Sequence, residues 1–260
     1  MERVGCTISV GLQKGGVGKS TTTALTSYIL AEQGHRVLAV DFDSQGNLTQ
    51  LLTQRSPYDF VHRTSLEACK ERDPRPYIHA ISDNLHLLPA EDFLSQFDKW
   101  IYTEVHVSQQ MVILKNTLEV VKSDYDYILI DLPPNLGGLT LNGVCASDYC
   151  VVVCQSEPFA YDALDRYMEI IQAAQQRVNP NLRIAGILIS LLDARTAIGN
   201  YITERIREEY QDFVFDTVIR RKSRIIEFSV EGIKIQTKAD REAIAMYESF
   251  VEELKARVSR

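Results

Sequence analysis

The sequence predicts an α/β fold, a mostly parallel twisted β-sheet flanked by helices on both faces. Two patterns carry that prediction. Short, continuously apolar runs such as Val37-Leu38-Ala39-Val40 and Tyr127-Ile128-Leu129-Ile130 suit strands buried on both faces of a parallel sheet. Stretches of helical character separate these runs, as crossovers between parallel strands require. The third observation is the glycine-rich stretch Lys14-Gly15-Gly16-Val17-Gly18-Lys19-Ser20-Thr21, set between the first apolar run and the first helical stretch. Strand, glycine turn and helix N-terminus in that order make a phosphate cradle, the P-loop NTPase arrangement. The glycines let backbone N–H groups turn inward, and the helix dipole adds partial positive charge at the same point.

Taken in order, Thr7 to Leu12 is the first predicted strand and Thr22 to Glu32 the first helix. His35 to Asp43 reads as a second strand. If it runs that far, Asp41 and Asp43 share a face at its C-terminal end, where ligands bind in open α/β sheets. Residues 54–83, charged and carrying Pro57, Pro74 and Pro76, are expected to form short helices and loops over the sheet edge. Asn84 to Pro89 is a short strand, and Ser108 to Lys122 an amphipathic helix. Tyr125 to Pro134 delivers Asp131 to the tip of a buried strand. Two strand–helix units follow: Asp148 to Gln155 before Tyr161 to Val178, and Leu182 to Leu192 before a helix near Tyr201 to Tyr210. A last strand, Asp216 to Ile219, runs into Arg220-Arg221-Lys222-Ser223-Arg224. The final helix spans Asp240 to about Arg257, with Tyr247, Phe250, Val251, Leu254 and Val258 on one face.

Composition narrows the function classes. With 260 residues, 45% hydrophobic and 24% charged, the expectation is a single domain over residues 1–260, an ordinary soluble globule. No run approaches the ~20 apolar residues that span a bilayer. Met1-Glu2-Arg3 leads straight into the first strand without a signal peptide, so a cytoplasmic protein is expected. Cys6, Cys69, Cys145, Cys150 and Cys154 form no CxxC pair and read as reduced core thiols rather than metal ligands. A net charge of −7 argues against a protein coated in nucleic acid, but not against a local basic patch.

The glycine-rich stretch departs from G-x-x-x-x-G-K-[ST], because Gln13 stands at the first glycine. It matches K-G-G-x-G-K-[ST], with a second lysine, Lys14, at its start. This deviant Walker A form resembles the ParA/MinD group of P-loop ATPases. The segment Asp41-Phe42-Asp43-Ser44-Gln45-Gly46-Asn47 is similar to the family's D-x-D-P-Q-G-N, with Ser44 for the proline. Asp131 corresponds to Walker B, and Asn135-Leu136-Gly137-Gly138-Leu139-Thr140-Leu141-Asn142 to the switch segment, whose glycines imply movement with nucleotide state. Leu192-Asp193-Ala194-Arg195-Thr196 resembles a further family segment. The tail departs most: Ile219-Arg220-Arg221 stands where relatives show I-P-R, so Arg220 replaces a proline that shapes the base pocket, while Arg221 and Glu227 match.

The P-loop pattern has Lys19 reaching the β/γ-phosphates of ATP and Ser20 ligating Mg²⁺, with Asp131 holding the metal through water. Gly15, Gly16, Val17, Gly18 and Thr21 complete the loop, and Arg221 is expected beside the nucleotide. The resemblance implies that Asp43 orients the attacking water. It also implies that Lys14 crosses a two-fold axis to the partner's nucleotide, so ATP drives homodimerisation. Asp41 is a second, less favoured candidate for the water, or a strand-end acid bonded to loop amides. Arg195, Arg220, Arg221, Lys222 and Arg224 are expected to bind DNA phosphates without reading bases. The implied function is plasmid or chromosome partition on the nucleoid, with hydrolysis stimulated by a ParB-type centromere-binding partner. The alternatives are a membrane-cycling ATPase of MinD type and a positioner of protein cargo. A membrane cycle calls for bulky apolar residues and lysines in a terminal amphipathic helix. The end of this chain, Glu253 to Arg260, has few of them.

Overall fold

The computed structural model describes residues 5–157, 160–192 and 197–259. In chain order the elements are β1 (Cys6–Gly11), α1 (Lys19–Glu32), β2 (Val37–Asp41), α2 (Asn47–Thr53), α3 (Ser65–Glu71), β3 (His79–Ala80), β4 (Leu85–Leu88), α4 (Phe97–Glu104) and α5 (Ile113–Glu119). They continue with β5 (Tyr127–Asp131), α6 (Gly138–Ala146), β6 (Tyr149–Gln155), α7 (Ala160–Arg177), β7 (Arg183–Leu192), α8 (Ala197–Tyr210), β8 (Val214–Arg220), α9 (Ser223–Glu231) and α10 (Lys238–Val258).

The strands form one sheet in the order β3-β4-β2-β5-β1-β6-β7-β8. Every pairing is parallel except that of the short edge strand β3 with β4. The crossover from β1 to β2 runs one way along the sheet and that from β5 to β6 the other. Right-handed connections therefore put α1 and α6 on opposite faces. α1 packs on β2, β5 and α10, whereas α6 packs with α5 and α7. Sandwiched strands must be apolar throughout, and every residue of β2 is buried.

Most predicted strands appear within a few residues of their expected bounds. β2 differs: it stops at Asp41, so Asp43 lies in the turn beyond the strand. The helix expected over Ser108 to Lys122 is only α5, because turns occupy the residues before it. α4 was not foreseen, and the segment expected to be a mobile switch is helical from Gly138 onward. The basic stretch at 220–224 leaves the end of β8 and enters α9. On α10, Tyr247, Phe250, Val251 and Leu254 are buried in the core and Val258 packs against it, as the periodicity predicts.

Candidate nucleotide and metal site

β1 ends at Gly11, and the chain turns through the glycine loop into α1. Gly16 (φ 75°) and Gly18 (φ 88°) occupy the left-handed region that side chains disfavour. A Cβ added at Gly15 or Gly16 would meet nothing within 4 Å, so the loop backbone is open to an approaching ligand. Val17 is fully buried, leaving only its backbone to the cradle. Ser20 and Thr21 begin α1 and line the same space.

A cleft of about 740 Å³ opens from this loop. Gly15, Gly16, Gly18, Lys19, Ser20, Thr21 and Asp43 line one side, and Arg220, Arg221 and Lys222 another. The Lys19 ammonium is buried and donates to the Lys14 carbonyl at 2.9 Å. Burial pushes its pKa below the usual ammonium value, against the opposing pull of Asp131 and Asp43.

Asp131 and Asp43 act on that ammonium, and Asp41 acts in turn on Asp131. Asp41 and Asp131 are register partners on β2 and β5, and both are fully buried. Asp41 accepts from the Thr49 amide and hydroxyl, each at 2.7 Å, and from the Asp43 amide at 3.2 Å. It is therefore the strand-end acid bonded to loop amides. Burial raises its carboxyl to about 7, with those hydrogen bonds opposing. Neither oxygen of Asp131 has a hydrogen-bond partner. Desolvation and the neighbouring Asp41 charge push the Asp131 carboxyl well above its usual range, while Ser20 and Lys19 favour its ionised form. An ionised, unpartnered buried carboxylate is costly, and a divalent cation beside Ser20 and Asp131 removes that cost. These residues fit Mg²⁺.

Lys14 is held in its own chain: its ammonium pairs with Glu157 at 2.8 Å, the side chains being 30% and 46% exposed. Glu157 played no part in the sequence reading. The signal available was an acid just past β6, at the ligand-binding end of the strand beside β1.

The predicted basic residues separate. Arg220 and Arg221 are exposed at the cleft edge, and Lys222 donates to the Glu242 carbonyl at 2.7 Å. Arg241, an exposed cation on the first turn of α10, is the chain neighbour of that Glu242. Arg224 is not presented to a polyanion: it bonds Asp240 at 2.5 Å, Glu227 at 2.6 Å and Glu231 at 3.0 Å. Its expected role as a DNA contact gives way to a structural one, since three carboxylates already neutralise it. Arg195 lies outside the described residues, as does most of its motif. Among the described residues no group of His, Cys, Asp and Glu with metal-site geometry occurs, and all five cysteines are free, four of them buried.

The family described as an AAA domain matches residues 5–184. The chain is 36% identical over 236 residues to the sporulation initiation inhibitor protein Soj of Bacillus subtilis, covering 88% of this chain and 89% of that one. It is 33% identical over 255 residues to the chromosome-partitioning ATPase Soj of Thermus thermophilus, covering 96% of each. Among solved structures, cobyrinic acid a,c-diamide synthase from Mycobacterium smegmatis with bound ATP analog and magnesium superposes with a TM-score of 0.83. That match has 29% identity and covers 99% of this chain and 98% of that one. Identity at this level over most of both partners decides the family: the chain belongs to the ParA/MinD group of P-loop ATPases, beside the Soj proteins.

Proposed function

We propose that this chain is an ATP-dependent partition ATPase, dimerising on ATP, binding DNA without sequence preference, and released when a partner protein stimulates hydrolysis. The carrying observation is the deviant P-loop with its second lysine, Lys14, half-buried at the start of the loop and ion-paired to Glu157 at 2.8 Å. The chain is an ATPase that works with ATP and Mg²⁺, and we read residues 1–260 as one domain.

Lys19 and the loop amides of Gly16, Gly18 and Lys19 would hold the β/γ-phosphates, and Ser20 and Asp131 would hold Mg²⁺. The metal, when bound, supplies positive charge where negative charge develops on the phosphoryl oxygens. Asp43, 6% exposed and at the cleft wall, orients the attacking water. A pair as exposed as Lys14–Glu157 is worth ~0–1 kcal/mol, so Lys14 exchanges it readily for the partner subunit's nucleotide. Arg220, Arg221 and Lys222 provide the phosphate contacts on DNA, with Arg221 shared with the nucleotide cleft. A ParB-type protein is the stimulating partner, and the nucleoid the place of action.

No described helix is long and apolar enough to cross a membrane. The apolar face of α10 packs into the core rather than facing outward, which favours DNA over a membrane cycle. Co-sedimentation with random duplex DNA and with anionic liposomes, under ATP, ADP or no nucleotide, tests the proposal. Retention on DNA with ATP alone, lost in Lys14→Ala and weakened in Arg220→Ala, is the expected result. Retention on liposomes instead, or on neither, overturns it.

A further inference from the structure

The chain leaves Asp131 through Leu132, Pro133 and Pro134, the last lining the nucleotide cleft, and enters α6 at Gly138. The N-cap of α6 is Gly137, which has no side chain to satisfy the first amides. A residue forty positions earlier does so: Gly138 donates its N–H to Asp98 Oδ2 at 3.1 Å. Asp98 sits in the first turn of α4. Its other oxygen, Oδ1, is buried without a partner, so this carboxylate commits most of its bonding here to one amide.

The paired glycines follow from how near α4 comes. A Cβ at Gly137 would lie 2.6 Å from Asp98 Oδ2, and one at Gly138 would lie 2.6 Å from Ile101 Cδ1 and 2.7 Å from Asp98 Oδ1. Close approach, rather than freedom to swing, is what requires glycine at both positions. A second tie lies one turn along α6. Asn142 is fully buried, donates to the Gly138 carbonyl at 3.0 Å and the Gln110 carbonyl at 2.8 Å, and accepts from the Leu114 amide at 3.3 Å. The start of α6 is thereby bonded to α4 on one side and to the turn before α5 on the other. That turn carries Val107, 73% exposed, and α4 carries Tyr102, 54% exposed.

We propose that Asp98 is a positioning residue for the hydrolytic step. Resting on the ATPase reading above, the proposal adds a residue that never touches nucleotide. Asp98 fixes the segment 132–138 through the Gly138 amide, a charge-assisted bond at a helix N-terminus. It thereby holds Asp131 and Pro134 in register with the P-loop. The same bond makes any displacement of that segment on phosphate loss a displacement of α4, and Asn142 carries it to the outer turn. The nucleotide state is thus written on a surface remote from the cleft.

Steady-state ATP hydrolysis by the full chain, with Mg²⁺ and with Lys19→Ala as the inactive control, provides the test. Asp98→Ala should lower kcat about tenfold, the scale expected when a support for reacting groups is misplaced by a fraction of an ångström, with KM within about twofold. Asp98→Asn, whose side-chain carbonyl still accepts from Gly138, should recover most of kcat. Gly138→Ala, which forces α4 away, should reproduce the kcat loss. Amide exchange should speed up at 137–142 in Asp98→Ala and not across the sheet. Wild-type kcat in Asp98→Ala overturns the proposal, as do an Asp98→Asn no better than alanine and global loosening of exchange. If the wild type turns over no more ATP than Lys19→Ala, the ATPase reading itself fails, a result distinct from all of these.

Discussion

Tyr167 is buried in the core with its hydroxyl unpartnered, although a phenol in that position ordinarily finds a hydrogen bond. Its ring reaches the end of β1, where a Cβ on Gly11 would overlap the hydroxyl. Gly11 is thus a glycine for want of room beneath the P-loop. An unsatisfied buried hydroxyl costs ~1–3 kcal/mol, so Tyr167→Phe should be neutral or stabilising. Gly11→Ala should destabilise by ~1–3 kcal/mol as overpacking does, and Tyr167→Phe in the same chain should recover part of that loss. Urea midpoints of the two single variants and the double decide it. Strict additivity would mean that the two residues do not meet as described. The same scale explains what sequence could and could not give at the site. Lys19 and Ser20 were legible because strand–loop–helix spacing fixes them to one crevice, and Asp131 because an acid closes a buried apolar strand. Glu157 and Asp98 were not, because their partners lie 143 and 40 residues away and only the closed sheet brings them together.

α10 begins with a capping box: the Thr237 hydroxyl accepts from the Asp240 amide while the Asp240 carboxylate accepts from the Thr237 amide. Arg224 on α9 bonds the same carboxylate, so one buried acid joins the two helices. The Thr237 amide above all, with Arg224, holds the Asp240 carboxyl well below its usual range. A depressed acid stabilises the fold above the unfolded carboxylate value, near pH 4, and that contribution is lost as pH falls from there toward the folded value. Asp240→Asn should therefore lower the thermal midpoint at pH 7, with the gap to wild type closing below pH ~4. Arg224→Ala should lower the midpoint too, less than additively with Asp240→Asn. DNA binding per folded molecule should stay near wild type in Arg224→Ala. A pH-independent gap, or Arg224→Ala fully folded and blind to DNA, would return Arg224 to the interface. Elements of this kind show how far periodicity carries. α10 was readable along its whole apolar face, since one unbroken helix packs it against the core. α4 and the shortened α5 were not, since their bounds are set by side-chain ties such as Asn142 to Gln110 rather than by their own pattern. The sheet order was equally out of reach, because apolar strands buried on both faces look alike wherever they sit.

For the molecule as a whole, a net charge of −7 sets long-range repulsion from DNA against a local cluster of cations. As the proposed DNA contacts, Arg220, Arg221 and Lys222 of a single subunit would be too few to hold DNA at physiological salt. In the proposed ATP-bound dimer, two subunits would present twice that number to one duplex, and the second set would engage as an intramolecular event. With about six phosphates neutralised, log affinity should fall with log salt at a slope near −5, a loss on the order of 10³ between 50 and 200 mM. The monomer, in ADP or as Lys14→Ala, should show about half that slope and far weaker binding. Lys222→Ala removes one cation from each subunit, so the slope of the ATP-bound dimer should shallow by about 2. Fluorescence anisotropy with labelled duplex across a salt series reads every one of these quantities. A slope unaffected by nucleotide would mean that dimerisation adds no cations to the contact, and the DNA surface would then have to lie away from β8 and α9.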